Sequence, residues 1–213
     1  MIVKKKLVTG YGLFLVGLFI ASLGVAFSAK AGLGTSPVSS VPYSVSLVSS
    51  LLTFGGWLNL LSLIQIAVQV LLLRKKCRPL ELAVQTVLAF VYGYLTNLSC
   101  WLIRGIKAEH YPLQFIYMLL GCLLLAFGIW LQLRGGVAML PGEAMNRAIS
   151  QVSGRKYENV KIFFDVAYIA ISAVICLVFL GRLEGVREGS IIAAFSVGLV
   201  MKGINRLYER FKA

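Results

Sequence analysis

Two stretches of this sequence bring a basic residue, glycines and a proline together: Lys30-Ala31-Gly32-Leu33-Gly34-Thr35-Ser36-Pro37 and Arg134-Gly135-Gly136-Val137-Ala138-Met139-Leu140-Pro141. Proline is preorganised for the first position of a helix, so a short helix is expected from Pro37 and another from Pro141. A helix N-terminus carries unpaired N–H groups and about half a positive charge, which suits an anionic or carbonyl-bearing solute. Lys30 and Arg134 stand equivalently before the two links and would strengthen that field. Their alternative role is plain snorkelling towards an interface. The candidate binding residues are therefore Lys30, Gly32, Gly34, Thr35, Ser36 and Pro37 in the first stretch, and Arg134, Gly135, Gly136, Pro141 and Glu143 in the second.

Other polar groups extend this set. Asn59, Ser62, Gln65 and Gln69 recur at three- or four-residue spacing and share one helix face, with Asn59 and Gln65 the candidate ligand contacts. Gln85, Tyr92, Thr96 and Ser99 do the same on another helix; both stripes could instead serve interhelical hydrogen bonding. Glu143 falls in the first turn of its helix, where the dipole favours a carboxylate, and could act as a proton-coupling group. Asp165 follows Lys161 by four residues, the spacing of an ion pair. Cys77, Cys100, Cys122 and Cys176 have no metal-ligand spacing, and the single His110 stands in a loop beside Glu109. No G-x-S-x-G, H-E-x-x-H or phosphate loop occurs, so neither an enzyme, a cofactor nor a metal is expected.

The elements that must hold these residues are helices in lipid. Of the 213 residues 59% are apolar and 14% charged, with mean hydropathy +0.85, well beyond a soluble domain. The net charge of +13 is confined to the ends of apolar runs, which excludes a nucleic-acid partner. Six runs are long enough to span a bilayer: 7–29, 56–73, 80–103, 111–133, 161–180 and 188–205. The first is too long for an ordinary signal core. Segments 37–53 and 141–153 are shorter and too polar to face lipid alone, and are expected as re-entrant half-helices.

The chain also resembles itself. Gly17, Gly24, Gly32, Pro37 and Ser46 fall on Gly121, Gly128, Gly136, Pro141 and Ser150 at one offset; Gly93 falls on Gly198, and Asn59 on Asp165 after a small shift. The expected fold is all-α: a single membrane domain over 1–213, with repeat 1 at 7–103 and repeat 2 at 111–207. Each repeat holds three spans and one re-entrant half-helix, in inverted topology. With both termini cytoplasmic, only Lys30, Arg104, Lys107, Arg182 and Arg187 of the 21 basic residues lie outside. Eight full spans would put the Arg74 to Arg78 cluster outside.

The stretch Gly24 to Ser46 and its echo Gly128 to Ser150 resemble the paired glycine–proline signature of the YitT/YczE-like family of small bacterial integral membrane proteins. That resemblance implies a multi-pass protein of the bacterial plasma membrane and no particular substrate. The expected function is a small-solute transporter or permease, for a solute such as an anionic metabolite, working by alternating access about the two half-helices. The alternatives are a passive channel, the substrate-binding membrane subunit of a vitamin or metal uptake system, and a non-transporting scaffold. The expected partners are the lipid bilayer and an unidentified solute.

Overall fold

The computed structural model describes residues 2–74, 78–108 and 110–212. Lys75, Lys76 and Cys77 of the basic loop, and Glu109, lie outside the described residues. Among the described residues eight helices follow one another: α1 (Ile2–Ala31), α2 (Pro37–Val48), α3 (Phe54–Leu73), α4 (Pro79–Leu102), α5 (Tyr111–Gly135), α6 (Pro141–Ser153), α7 (Tyr157–Leu180) and α8 (Glu188–Lys212). All but α2 and α6 are long and apolar enough to cross a membrane. They expose large apolar side chains outward, for example Leu71 on α3 and Phe163, Val166 and Val178 on α7, as lipid-facing surfaces must. The protein is a multi-pass membrane protein.

Local chemistry sets the helix boundaries. Proline stands at the first positions of α2, α4, α5 and α6, where its missing N–H costs nothing. The Thr53 hydroxyl accepts the Gly56 N–H and caps α3. Gly136, Gly154 and Gly181 close α5, α6 and α7 in the left-handed conformation, at φ of 60°, 68° and 66°. The spans run a few residues beyond the apolar runs, with α7 starting at Tyr157 and α8 continuing to Lys212. Polar terminal turns are helical yet add nothing to an apolar count.

At the centre lies the antiparallel pair α1 and α5, pressed together through glycine. A Cβ at Gly17 would come within 2.6 Å of the Gly128 carbonyl, one at Gly24 within 2.5 Å of the Leu125 nitrogen, and one at Gly10 within 2.7 Å of the Gly135 carbonyl. The three glycines on each helix are spaced by seven, which keeps them on one seam. In lipid, close approach of backbones supplies dispersion where no hydrophobic driving force exists. Ala21, Val25 and Leu125 fill the middle of the seam. The Gly17, Gly24, Gly121 and Gly128 recurrence seen in the sequence thus has a packing cause.

The other helices surround this pair. α4 lies on α1 and α8 on α5; α2 packs on α7 and α3, and α6 on α3 and α7. α3 and α4 meet closely, with Gly55 and Gly93 backbone to backbone and Asn59 against Gly93. Asn97 Oδ1 accepts the Gly55 N–H (2.9 Å), and Asn97 Nδ2 donates to Thr53 (2.8 Å). Among the described residues α7 and α8 barely touch.

The first link is buried at Leu33, Gly34 and Thr35, whereas the second is half-buried from Val137 to Leu140 and exposed at Gly136. Leu33 packs with Ala31 and Met118, and Gly34 forms an isolated bridge with Val186. Val137, Ala138 and Leu140 lie against Phe14, Leu18 and Leu88.

Candidate functional site

A cavity of about 830 Å³ opens among the helices, and every one of the eight contributes to its wall. Its inner end is bounded by Ala21 of α1 and Leu125 of α5, midway along those spans, and by the first turns of both short helices, Ser36-Pro37-Val38 and Leu140-Pro141-Gly142-Glu143. Neither short helix has a side-chain cap at its N-terminus. Pro42 lacks an N–H, so the Val38 carbonyl receives no intrahelical bond from it. The exposed wall residues are Leu133, Arg147, Gln151, Ala194 and Gly198, so the mouth lies towards the C-terminal end of α6 and between α7 and α8.

Amide groups dominate the polar lining of the inner end. Gln65 is 3% exposed; its Nε2 donates to the Tyr168 hydroxyl at 2.9 Å, and its side chain rests on the backbone of Gly142, where a Cβ would lie 3.3 Å away. Gln132 and Asn146 are 6% and 4% exposed, and Gln132 Nε2 and Asn146 Oδ1 have no hydrogen-bond partner among the described residues. Tyr92 and Ser62 complete this region. The charged lining residues are Glu143, Arg147, Lys161 and Asp165, two of each sign. Lys161 and Asp165 form an ion pair of 3.4 Å, and Lys161 and Arg147 both act electrostatically on Glu143.

Opposite the mouth the molecule is sealed by hydroxyls. Ser44 and Ser172 hydrogen-bond through their hydroxyls, Ser172 Oγ reaches the Ser40 carbonyl (3.1 Å), and Cys176 Sγ reaches Ser44 (3.2 Å) and accepts the Gly185 N–H (3.3 Å). Ser40, Ser44, Ser172 and Cys176 are completely buried. Arg187 donates to the Gly32 carbonyl at 3.4 Å, fastening the first link to the α7–α8 turn.

Of the residues expected at a site, Ser36, Pro37, Gln65, Pro141 and Glu143 meet in this cavity. The others lie elsewhere. Lys30 donates to the Arg104 carbonyl at 3.2 Å, on the opposite side from the mouth. Arg134 is exposed and stacks on Tyr208, 3.4 Å from the ring centre, beside Trp130. An aromatic face holds a guanidinium well, and that geometry turns it away from the cavity. Gly32, Gly34 and Thr35 belong to the seal, Gly135 and Gly136 end α5, and Asn59 faces the α3–α4 seam. Gln132 and Asn146 carried weaker signals, a lone amide within an apolar run and a residue three after Glu143 on the same helix face, and Tyr168 and Arg147 carried none of their own.

No solved structure matches this chain. It is 26% identical over 196 residues to the uncharacterized protein YyaS of Bacillus subtilis (strain 168), covering 92% of each chain. A family model matches residues 8–206, and the chain belongs to that family, the family of unknown function DUF6198. This is the family the comparisons show, whereas the glycine–proline stretches had suggested the YitT/YczE-like proteins.

Proposed function

We propose that this DUF6198 protein is a small-solute transporter of the bacterial plasma membrane, built as an inverted duplication and working by alternating access. The relation of the halves is supported by the packing. Exchanging α1–α4 for α5–α8 turns the α1–α4 contact into α5–α8, α2–α7 into α6–α3, α2–α3 into α6–α7, and α2–α8 into α6–α4, and each of these exists. The antiparallel pairing of α1 with α5 is the inversion. Non-helical links packed beside the central helices, each followed by a helix that starts level with the middle of the spans, support two re-entrant half-helices. Irregular backbone is tolerated at that depth where protein covers it or a cavity receives it.

One contact fails the exchange, and that exception carries the reading. α3 packs on α4 while α7 stands apart from α8. At residue level Asn59 touches Gly93, but their counterparts Asp165 and Gly198 line the cavity, and a Cβ on Gly198 would meet nothing within 4 Å. Two like halves in unlike conformations give a cavity open on one face and sealed on the other. If the halves exchange conformations, α7 closes on α8 and α3 parts from α4, which exposes the same inner end to the opposite face. Arg147 lines the mouth, Arg155 and Lys156 stand in the α6–α7 turn that follows and Lys202 is next to the lining residue Met201 on α8, so the positive-inside bias puts this side in the cytoplasm. A sealed far side favours a carrier over a passive channel.

Cross-linking tests this. In a background without native cysteines, Asp165→Cys and Gly198→Cys, far apart across the open mouth, should become bridgeable by a short bifunctional thiol reagent in membranes as the protein cycles. A pair that never bridges, at any temperature at which the protein remains folded, marks a fixed scaffold.

A further inference from the structure

We propose that the inner end of the cavity binds a small solute of no net charge bearing a carboxamide-like pair, a carbonyl acceptor beside an N–H donor. The first ground is charge. The basic residues expected to make the site select anions are engaged elsewhere, Lys30 with the Arg104 carbonyl and Arg134 with Tyr208 and Trp130. The four charged wall residues cancel: Asp165 is held by Lys161, and Glu143 and Arg147 stand one helical turn apart on α6. An ion entering this space would give up hydration against a wall whose formal charges sum to zero, a large cost at this depth.

The second ground is independent of charge. Gln65, Gln132 and Asn146 line the cavity from α3, α5 and α6, and each amide group offers both donor and acceptor. Gln65 is oriented by Tyr168, with the side-chain-free Gly142 beneath it, so its plane is fixed. Gln132 Nε2 and Asn146 Oδ1 are a donor and an acceptor left without partners among the described residues. Buried polar atoms without partners are destabilising, and retaining two of opposite kind on one cavity wall is what a donor–acceptor solute would relieve. Binding requires each amide to turn its unpartnered atom towards the solute.

That this solute is the cargo rests on the transporter reading; that it binds does not. The test uses the full-length protein in lipid nanodiscs and three four-carbon probes of equal length: succinamide (neutral, two carboxamides), succinate (dianion) and putrescine (dication). Thermal unfolding should shift upward with succinamide and stay unchanged with the other two, because only a ligand of the folded state stabilises it. Gln132→Leu and Asn146→Leu should each weaken that shift, by about tenfold in apparent affinity for one hydrogen bond lost to a buried partner. Without probe, both variants should unfold no earlier than the parent, because each removes an unpartnered polar atom. A shift by succinate or putrescine larger than that by succinamide, no shift with succinamide, or a succinamide shift intact in both variants would each overturn the proposal. Cysteine bridging without a succinamide shift would leave a carrier of another solute class, and a shift without bridging would leave a binding protein that does not cycle.

Discussion

Glycine carries different loads at different positions of this chain. Gly24 sits where a Cβ would lie 2.5 Å from the Leu125 nitrogen, inside the antiparallel seam, and rigid backbone cannot retreat from it. Gly24→Leu should cost at least the roughly 1–3 kcal/mol of an overpacked core, and more because two helices must separate. Gly12, where a Cβ would meet nothing within 4 Å, should accept alanine with unchanged or slightly higher stability. Thermal unfolding of the two variants side by side measures the contrast, and equal losses would remove the seam from the account. In the first link Gly34 has φ of 99° and faces Arg187 and Ser190, so Gly34→Val is strained in conformation and space alike. Gly136, at φ of 60° with room around it, should accept Asn at small cost.

The seal and the seams belong to the scale of helices. α2 is tied to α7 through Ser40, Ser44, Ser172 and Cys176, and removing the Ser172 hydroxyl deletes its bonds to both Ser44 and Ser40. At about 1 kcal/mol per hydrogen bond, losing both in Ser172→Ala should shift the balance of conformations by roughly thirtyfold towards the face now closed. Val38→Cys, on the cavity wall, should then be labelled faster by an impermeant reagent from that side; an unaltered rate would mean that these bonds only stabilise the fold. Gly93 and Gly198 make a sharper pair. Gly93→Leu meets Asn59 and the Gly55 carbonyl and should destabilise the protein. Gly198→Leu projects into the open cavity and should fold normally, yet prevent α7 from closing on α8, so that Val38→Cys in the same chain is no longer labelled from the side now sealed.

For the molecule in its membrane, charge sets orientation. Both termini and the α3–α4 loop are expected in the cytoplasm, since the opposite arrangement exports most of the 21 basic residues. Arg78→Cys on a cysteine-free background should resist an impermeant thiol reagent applied from outside and react once the cytoplasmic face is opened. Labelling from outside would invert the topology and put the cavity mouth on the other face.

The sequence by itself determined the spans, the helix starts at Pro37 and Pro141, the charge asymmetry and the candidate duplication. Hydropathy, proline geometry and flanking charge are local properties, readable without neighbours. It also marked Glu143 and Gln65, polar groups that an apolar environment must accommodate. Tertiary structure decided which polar groups share a space. Lys30 and Arg134 look equivalent in the chain, but α5–α8 packing supplies Arg134 with Tyr208 while the Arg104 carbonyl takes Lys30, and neither partner is near in sequence. Gln132 and Asn146 became site residues only because the phase of α5 and α6 about their axes, fixed by glycine seams and packed links, turns them to the cavity. The inequality of the α3–α4 and α7–α8 seams was beyond any pattern in the chain, because it exists only once the helices are packed together.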